Sequence, residues 1–168
     1  MKTATYFLGL LGVLLLFSFC KVNKNEDEKE LNRFIVEAID ARLMDREEGK
    51  LAVLKGTTST IKDYGNKMVK DQTLLLEELK KLAKEKNIEF PTTITEKKSK
   101  NLEKLGLKSG TDFDKKFLNM IKIDHKRDVK EFKNASEYSD VVVNKFAIKY
   151  LPMIKMHLQE VKQIIKNR

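Results

Sequence analysis

The two histidines of the chain, His125 and His157, are the side chains best suited to chemistry. Each lies among apolar residues that recur every three or four positions, which is the spacing of one buried helix face. Imidazole and carboxylate groups that project inward from facing helices are the ligands that a helical bundle offers to iron, manganese or zinc. We therefore predict a transition-metal site with ligands drawn from His125, His157, Glu48, Asp45 and Asp124, and with Glu160 as a further carboxylate.

A metal-free interpretation of the same residues stays open. A buried histidine is often a core residue that exchanges hydrogen bonds with a neighbour. The sequence also lacks the pair of Glu-x-x-His motifs that would strengthen the metal interpretation. In this alternative the inner polar residues form a closed hydrogen-bond network, and no metal binds.

Gln72 is a third polar residue on an apolar helix face, four residues after Met68 and three before Leu75. A buried amide needs hydrogen-bond partners, or it costs about 1–3 kcal/mol. The segment MVKDQ (68–72) repeats the spacing of IKIDH (121–125), so glutamine stands where the other segment has histidine. Glutamine can fill such a position with hydrogen bonds, but it is a poor ligand for transition metals.

The apolar spacing continues along most of the chain and predicts four long helices. They are expected at about 28–55, at 59–86, from the SGTDFD segment (109–114) to about 135, and at 140–166. The link 87–110 is long enough to run the length of a bundle, and it holds a stretch that predicts a short helix. The sequence thus predicts an all-α, ferritin-like four-helix bundle with one long crossover that carries a short helix.

Residues at the helix ends support these boundaries. Gly56 is expected to close the first helix, and the residues Thr57 to Ser59 offer caps for the second. Thr111 and Asp114 resemble a capping box at the start of the third long helix. The predicted hairpins therefore have short connections.

The N-terminal segment resembles an export signal. Lys2 precedes an apolar run at 6–19 that is too short for a comfortable membrane span, and Cys20 follows it. We predict a lipoprotein-type signal peptide at 1–20, with lipidation of Cys20. Cleavage after Cys20 without a lipid is the alternative. In both cases the protein is expected to be exported, to the periplasm or the outer membrane.

The mature chain is expected to begin with a flexible acidic tether at 21–29, followed by one bundle domain at 30–168. Cys20 is the only cysteine, so the domain has no disulfide and must be held together by packing. The membrane is the expected partner, through the lipid anchor at Cys20. The sequence does not identify a protein partner, and a homodimer stays an open alternative.

The formal net charge of +9 does not indicate nucleic-acid binding. Lysine alternates with glutamate and aspartate along helical stretches, which is typical of a solvated helix surface. An exported protein also rarely meets nucleic acid. The sequence shows no nucleophile with a partnered base, no phosphate-binding loop and no cysteine metal motif, so it predicts no catalytic residue for hydrolase or kinase chemistry.

Five segments carry a resemblance to a known family. Two are fairly specific, SGTDFDKKFLNMIKIDH (109–125) and LPMIKMHL (151–158), and three are less so, EEGKLAVLKG (47–56), GNKMVKDQ (65–72) and LKKLAKEKNIEFP (79–91). Over about 34–161 the chain resembles the bacterial "domain of unknown function 4142" proteins. The resemblance implies a ferritin-like fold and an exported or outer-membrane location, but no settled activity.

The same resemblance explains why a glutamine stands at position 72. The second helix of that family usually carries Asp-His where this chain has Asp71-Gln72, so Gln72 looks like a replaced ligand position. His125 and His157 match the other two histidines of the family. The resemblance therefore implies that one of three imidazoles is absent from the predicted site.

The sequence leads to one main functional hypothesis and two alternatives. The main hypothesis is an exported, lipid-anchored, ferritin-like bundle of the cell envelope whose core binds a metal. The first alternative is a metal-free structural or interaction module of the envelope. The second is a metal-dependent oxidative-stress enzyme, which Gln72 disfavours because such chemistry needs a nearly complete ligand set.

Overall fold

The structure is a computed structural model that describes residues 24–168. The predicted signal peptide, its Cys20 and the first three residues of the predicted tether lie outside the described residues. Among residues 24–168, no helix combines the length and the apolar character that crossing a membrane requires.

The described chain forms five helices and no strand, which confirms the predicted all-α class. Their bounds are α1 Lys24–Lys55, α2 Ser59–Glu85, α3 Glu96–Gly106, α4 Gly110–Ala135 and α5 Val141–Lys166. Helix α1 begins earlier than predicted, so residues 24–29, which we expected to be a flexible tether, are helical. Glu26 and Asp27 lie in the first turn, where negative charge interacts favourably with the helix dipole.

Contacts between side chains define the direction of the helices. Short loops join α1 to α2 and α4 to α5 as antiparallel hairpins. Arg42 pairs with Asp128 near the middle of α1 and α4, and Thr57, just after α1, binds Asp114 at the start of α4. Helices α1 and α4 are therefore antiparallel, and it follows that α2 and α4 are parallel. This is the ferritin-like arrangement predicted from the long crossover.

The crossover helix α3 lies along α1. At its start, the backbone N–H of Thr95 donates to Asp40 at 3.1 Å, and Lys98 pairs with the same carboxylate at 3.0 Å. At its end, Lys55 donates to the carbonyl oxygen of Gly106. Because both ends are held, the crossover is fixed against the hairpin of α1 and α2.

The caps are only partly as predicted. Helix α1 ends before Gly56, and Thr58 caps α2 by accepting from the backbone N–H of Ile61 at 3.3 Å. The predicted capping box at Thr111 and Asp114 is wrong, because α4 begins at Gly110 with Ser109 as its cap residue. The buried carboxylate of Asp114 instead binds Thr57 and Arg168, and so joins the α1–α2 loop to the C-terminus.

Buried apolar side chains form two clusters toward opposite ends of the bundle. The first includes Phe34, Leu76, Phe132 and Ala147, and the second includes Ile61, Phe113, Phe117 and Val161. Burial of apolar surface is the main force that holds a disulfide-free domain together. Between the clusters, in the middle part of the four long helices, most of the buried residues are polar.

Helices α1 and α2 approach each other closely where Gly49 faces Gly65. A Cβ atom on Gly65 would lie 2.8 Å from the carbonyl oxygen of Gly49 and 2.9 Å from the Cβ of Ala52. A Cβ atom on Gly49 would lie 2.9 Å from the carbonyl oxygen of Gly65. Only glycine fits at both positions, and the contact fixes the height of α2 relative to α1.

Gly65→Ala should lower the free energy of unfolding by about 1–3 kcal/mol, because the added methyl group forces two packed backbones apart. Gly106→Ala is the matched control. Its Cβ would meet no heavy atom of residues 24–168 within 4 Å, so stability should change by less than about 1 kcal/mol. Urea denaturation of both variants measures the difference. A Gly65→Ala midpoint equal to that of the wild type would contradict the close approach.

Candidate metal centre

Seven buried polar or charged side chains lie between the two apolar clusters, and we call them the polar layer. Each is at most 5% exposed. The members are Arg42, Asp45 and Glu48 on α1, Gln72 on α2, His125 and Asp128 on α4, and His157 on α5. Isolated buried charges and amides are costly, so a cluster of this kind in the middle of a core calls for an explanation.

The helix register places Gln72 in this layer. Gly49 of α1 lies against Gly65 and Met68 of α2. Four residues after Met68 is Gln72, and four residues before Gly49 is Asp45. Because the two helices are antiparallel, Gln72 lies at the height of Asp45.

One half of the layer is an ion-pair cluster, which we call the arginine half. The guanidinium of Arg42 is fully buried, and its Nη2 lies 2.8 Å from Oδ2 of Asp45. The same nitrogen donates to Oδ2 of Asp128. One positive charge thus holds two carboxylates, from helices α1 and α4.

The other half consists of Glu48, Gln72, His125 and His157, and we call it the unpaired half. Seven of its nitrogen and oxygen atoms have no hydrogen-bond partner among the described residues. They are both carboxylate oxygens of Glu48, both amide atoms of Gln72, both ring nitrogens of His125 and Nδ1 of His157. An unsatisfied buried polar group costs about 1–3 kcal/mol. The Glu48 oxygens, Oε1 of Gln72, one nitrogen of His125 and Nδ1 of His157 offer lone pairs that a cation or water could bind, whereas Nε2 of Gln72 is a donor.

His157 is held in a defined orientation. Its Nε2 lies 3.1 Å from Oδ2 of Asp71, and Tyr64 donates its hydroxyl to the backbone carbonyl of His157 at 3.1 Å. The hydrogen bond to Asp71 leaves Nδ1 as the free ring nitrogen. A carboxylate that fixes the second nitrogen is the usual partner of a metal-bound histidine.

The potential ligand atoms from different helices lie close together. Ligand atoms of Asp45, His125 and Asp128 all lie within 4.8 Å of one another. The rings of His125 and His157 meet edge to face, with centroids 5.6 Å apart. Four of the five ligands predicted from sequence, Asp45, Glu48, His125 and His157, are thus buried members of one layer.

Burial shifts the pKa of each of these groups in the direction that favours its neutral form. It lowers the pKa of His125 to about 4 and that of His157 to about 4, so both imidazoles are neutral at pH 7 and keep a lone pair. Burial raises the pKa of Asp45 to about 6, against the attraction of Arg42. The pKa of Glu48 is raised well above its ordinary value by burial and then by the nearby charge of Asp45. An added cation would reverse the shifts of the carboxylates.

The remaining predicted carboxylates lie away from the unpaired half. The side chain of Asp124 is one quarter exposed and pairs with Arg127 at 2.8 Å. It lines a solvent-open cavity of about 360 Å³ between α1, α3 and α4, together with Asp128 of the layer. Glu160 is one third exposed and pairs with Lys67 at 2.6 Å. Asp124 therefore lies in the cavity next to the polar layer, and Glu160 is a surface residue.

Sequence reasoning did not select three residues of the centre, Arg42, Asp128 and Asp71. Arg42 lies three residues before Asp45, and Asp128 three after His125, so each shares a helix face with a predicted ligand. Asp71 precedes Gln72 as Asp124 precedes His125. Helical spacing could have pointed to these positions, but it could not show that Arg42 turns inward rather than toward solvent.

Comparison with known proteins supports the family resemblance and the fold. The family model described as "Domain of unknown function (DUF4142)" matches residues 21–164, which confirms the resemblance seen in the sequence. Among solved structures, the chain is similar to a DUF305 fragment from Deinococcus radiodurans, with a TM-score of 0.72 and 7% identity. The match covers 83% of this chain and 97% of that chain, and at such low identity it concerns the fold alone. No curated protein matches the sequence.

Proposed function

Because the chain belongs to the DUF4142 family, whose name assigns no function, we propose from its own residues that it is an exported, lipid-anchored helical bundle of the cell envelope that binds a divalent transition metal. The metal is proposed to lie in the polar layer. Its ligands would come from His125, His157 and Glu48, with Asp45 beside them.

The observation that carries this proposal is the set of unpaired buried atoms. A cation would bind the lone pairs of the Glu48 oxygens, of one His125 nitrogen and of Nδ1 of His157. Neutral imidazoles together with a carboxylate suit iron, manganese or zinc. When bound, such a metal would act as a Lewis acid, and Asp71 would keep His157 oriented toward it.

A metal-free structural or interaction module is the second candidate, and the arginine half favours it. Arg42 already compensates Asp45 and Asp128 without a metal. In that case buried water would have to satisfy the seven unpaired atoms of the other half. The oxidative-stress enzyme is the least supported candidate, because Gln72 occupies a position where the family resemblance leads us to expect a third imidazole.

Metal content tests the proposal directly. The full-length protein, purified in mild detergent without chelator and then loaded separately with iron, manganese or zinc, should retain metal after desalting, as measured by mass spectrometry. Glu160→Gln is the matched control, since Glu160 pairs with Lys67 at the surface and its variant should retain as much metal as the wild type. A wild-type protein that emerges metal-free from all three loadings would favour the structural module.

The location is tested at Cys20. In a bacterial host, the full-length protein should incorporate labelled fatty acid and fractionate with membranes. Cys20→Ser should lose the label and move to the soluble fraction of the envelope. Wild-type protein that is exported without label would indicate ordinary cleavage, and protein that stays in the cytoplasm would contradict export.

A further inference from the structure

We propose that the polar layer is built for a single divalent ion, and that Arg42 provides the positive charge that a second ion would provide in a two-metal centre. This inference rests on the proposed function and specifies the number of ions. It goes beyond metal binding itself, because a layer with several carboxylates and two histidines in a four-helix bundle could also serve two ions.

Charge balance is the first argument. The fully buried part of the layer contains three carboxylates, Asp45, Glu48 and Asp128, and one guanidinium, Arg42. Carboxylates that bind a metal are ionised, so these four groups together carry two negative charges. One divalent ion neutralises them, whereas a second would leave two positive charges in a core with little water to solvate them.

The remaining members of the layer do not change this balance. Gln72 is an uncharged amide, and the imidazoles of His125 and His157 bind metals in the neutral form. Asp71 and Asp124 are outside the count, because their side chains are one fifth and one quarter exposed and each has its own partner, His157 and Arg127.

The geometry of the arginine half is the second argument. Two-metal centres hold their ions about 3.5–4 Å apart, and ligands from several helices must serve both ions. Here the same guanidinium nitrogen contacts Oδ2 of Asp45 and Oδ2 of Asp128, from α1 and α4. The guanidinium of Arg42 thus occupies the position at which a second cation would bind these two carboxylates. It is fully buried there.

The unpaired half provides ligands for one ion. Its three groups with strong affinity for a metal are Glu48, His125 and His157, and a ligand atom of His125 lies within 4.8 Å of one of Asp45. Gln72 offers only a weak amide ligand. A second ion would have to bind Asp45 and Asp128, which Arg42 contacts instead.

The test is a Mn²⁺ titration of the full-length protein followed by electron paramagnetic resonance. We expect the signal of free Mn²⁺ to appear after one equivalent is bound, and we expect the bound ion to show no spin coupling. Uptake of two equivalents with a spin-coupled signal would overturn the single-ion inference and leave the proposed function intact. Absence of tight binding, with Fe²⁺ and Zn²⁺ also failing to bind, would defeat the proposed function itself.

Two variants test the role of Arg42 separately. Arg42→Met should bind two equivalents of Mn²⁺, because Asp45 and Asp128 become available to a second ion. Arg127→Met, which removes a guanidinium that is half exposed at the rim, should still bind one. A folded Arg42→Met protein that takes up only one equivalent would overturn the role assigned to Arg42. If that variant does not fold, the wild-type stoichiometry still decides the number of ions.

Discussion

Replacing His157 by glutamine should weaken metal binding by at least about 100-fold. Loss of a residue that merely orients a ligand costs about 10–100-fold, and the loss of a direct ligand should cost at least as much. A glutamine amide can still donate to Asp71 as Nε2 of His157 does, but it has no nitrogen at the position of Nδ1. The variant therefore removes the ligand atom and keeps the interhelical hydrogen bond.

Thermal unfolding with and without metal measures this effect. A ligand at 100 times its dissociation constant stabilises the folded protein by about 2.7 kcal/mol, so the wild-type melting temperature should rise clearly on metal addition. His157→Gln should lose that rise, whereas Glu160→Gln should keep it, because Glu160 lies at the surface. An equal rise in wild type and His157→Gln would exclude His157 as a ligand.

Replacing Arg42 by methionine should lower the free energy of unfolding of the metal-free protein by about 3–5 kcal/mol. The variant leaves Asp45 and Asp128 buried without the guanidinium that pairs with them. Methionine replaces the apolar stem of arginine and packs well in a core, so the largest part of the loss comes from the uncompensated carboxylates. Urea denaturation in the presence of a chelator measures the change.

Arg127→Met is the matched control for this prediction. Arg127 also pairs with an aspartate of α4, but its side chain is half exposed, and surface ion pairs contribute only about 0–1 kcal/mol. The double variant Asp45→Asn with Arg42→Met should recover part of the lost stability. Similar small losses for Arg42→Met and Arg127→Met would show that the arginine half does not depend on its buried charge.

The sequence predicted most of the fold because its signals are local and repeated. The apolar spacing marked all four long helices, and the length of the link 87–110 indicated the crossover that makes α2 and α4 parallel. The start of α1 was placed too late because an acidic, lysine-rich stretch is compatible with both tether and helix, and periodicity cannot separate the two. Asp114 was misread because its partners, Thr57 and Arg168, are distant in sequence.

The candidate centre was predicted in part for the same reason. His125, His157, Asp45 and Glu48 interrupt apolar faces, and this interruption can be seen in one dimension. Asp124 and Asp128 are four residues apart on α4, so their side chains differ by only about 40° around the helix axis. Asp128 is buried and Asp124 is at the cavity, and helical spacing does not resolve that difference. The inward position of Arg42 depends on Asp128 of another helix, which no local pattern shows.

The arrangement separates the apolar packing of the core from the proposed metal site. Two apolar clusters on either side of the layer provide the packing, and the Gly49–Gly65 contact sets the height of α2. The layer between them is costly without a ligand, since ten of its side-chain nitrogen and oxygen atoms lack a hydrogen-bond partner among residues 24–168. Natural cores keep such groups mainly at functional sites, so we expect the function of this protein to involve the polar layer.

Anomalous diffraction from crystals grown with Mn²⁺ or Zn²⁺ would show whether the polar layer holds a metal, because it locates the ion without relying on affinity. We expect one anomalous peak in the polar layer, within ligand distance of Glu48, of His125 and of Nδ1 of His157. Two peaks in the layer would contradict the role proposed for Arg42. Ordered water at that position with no anomalous signal, in crystals soaked at saturating metal, would contradict the metal centre and identify the layer as a hydrogen-bond network.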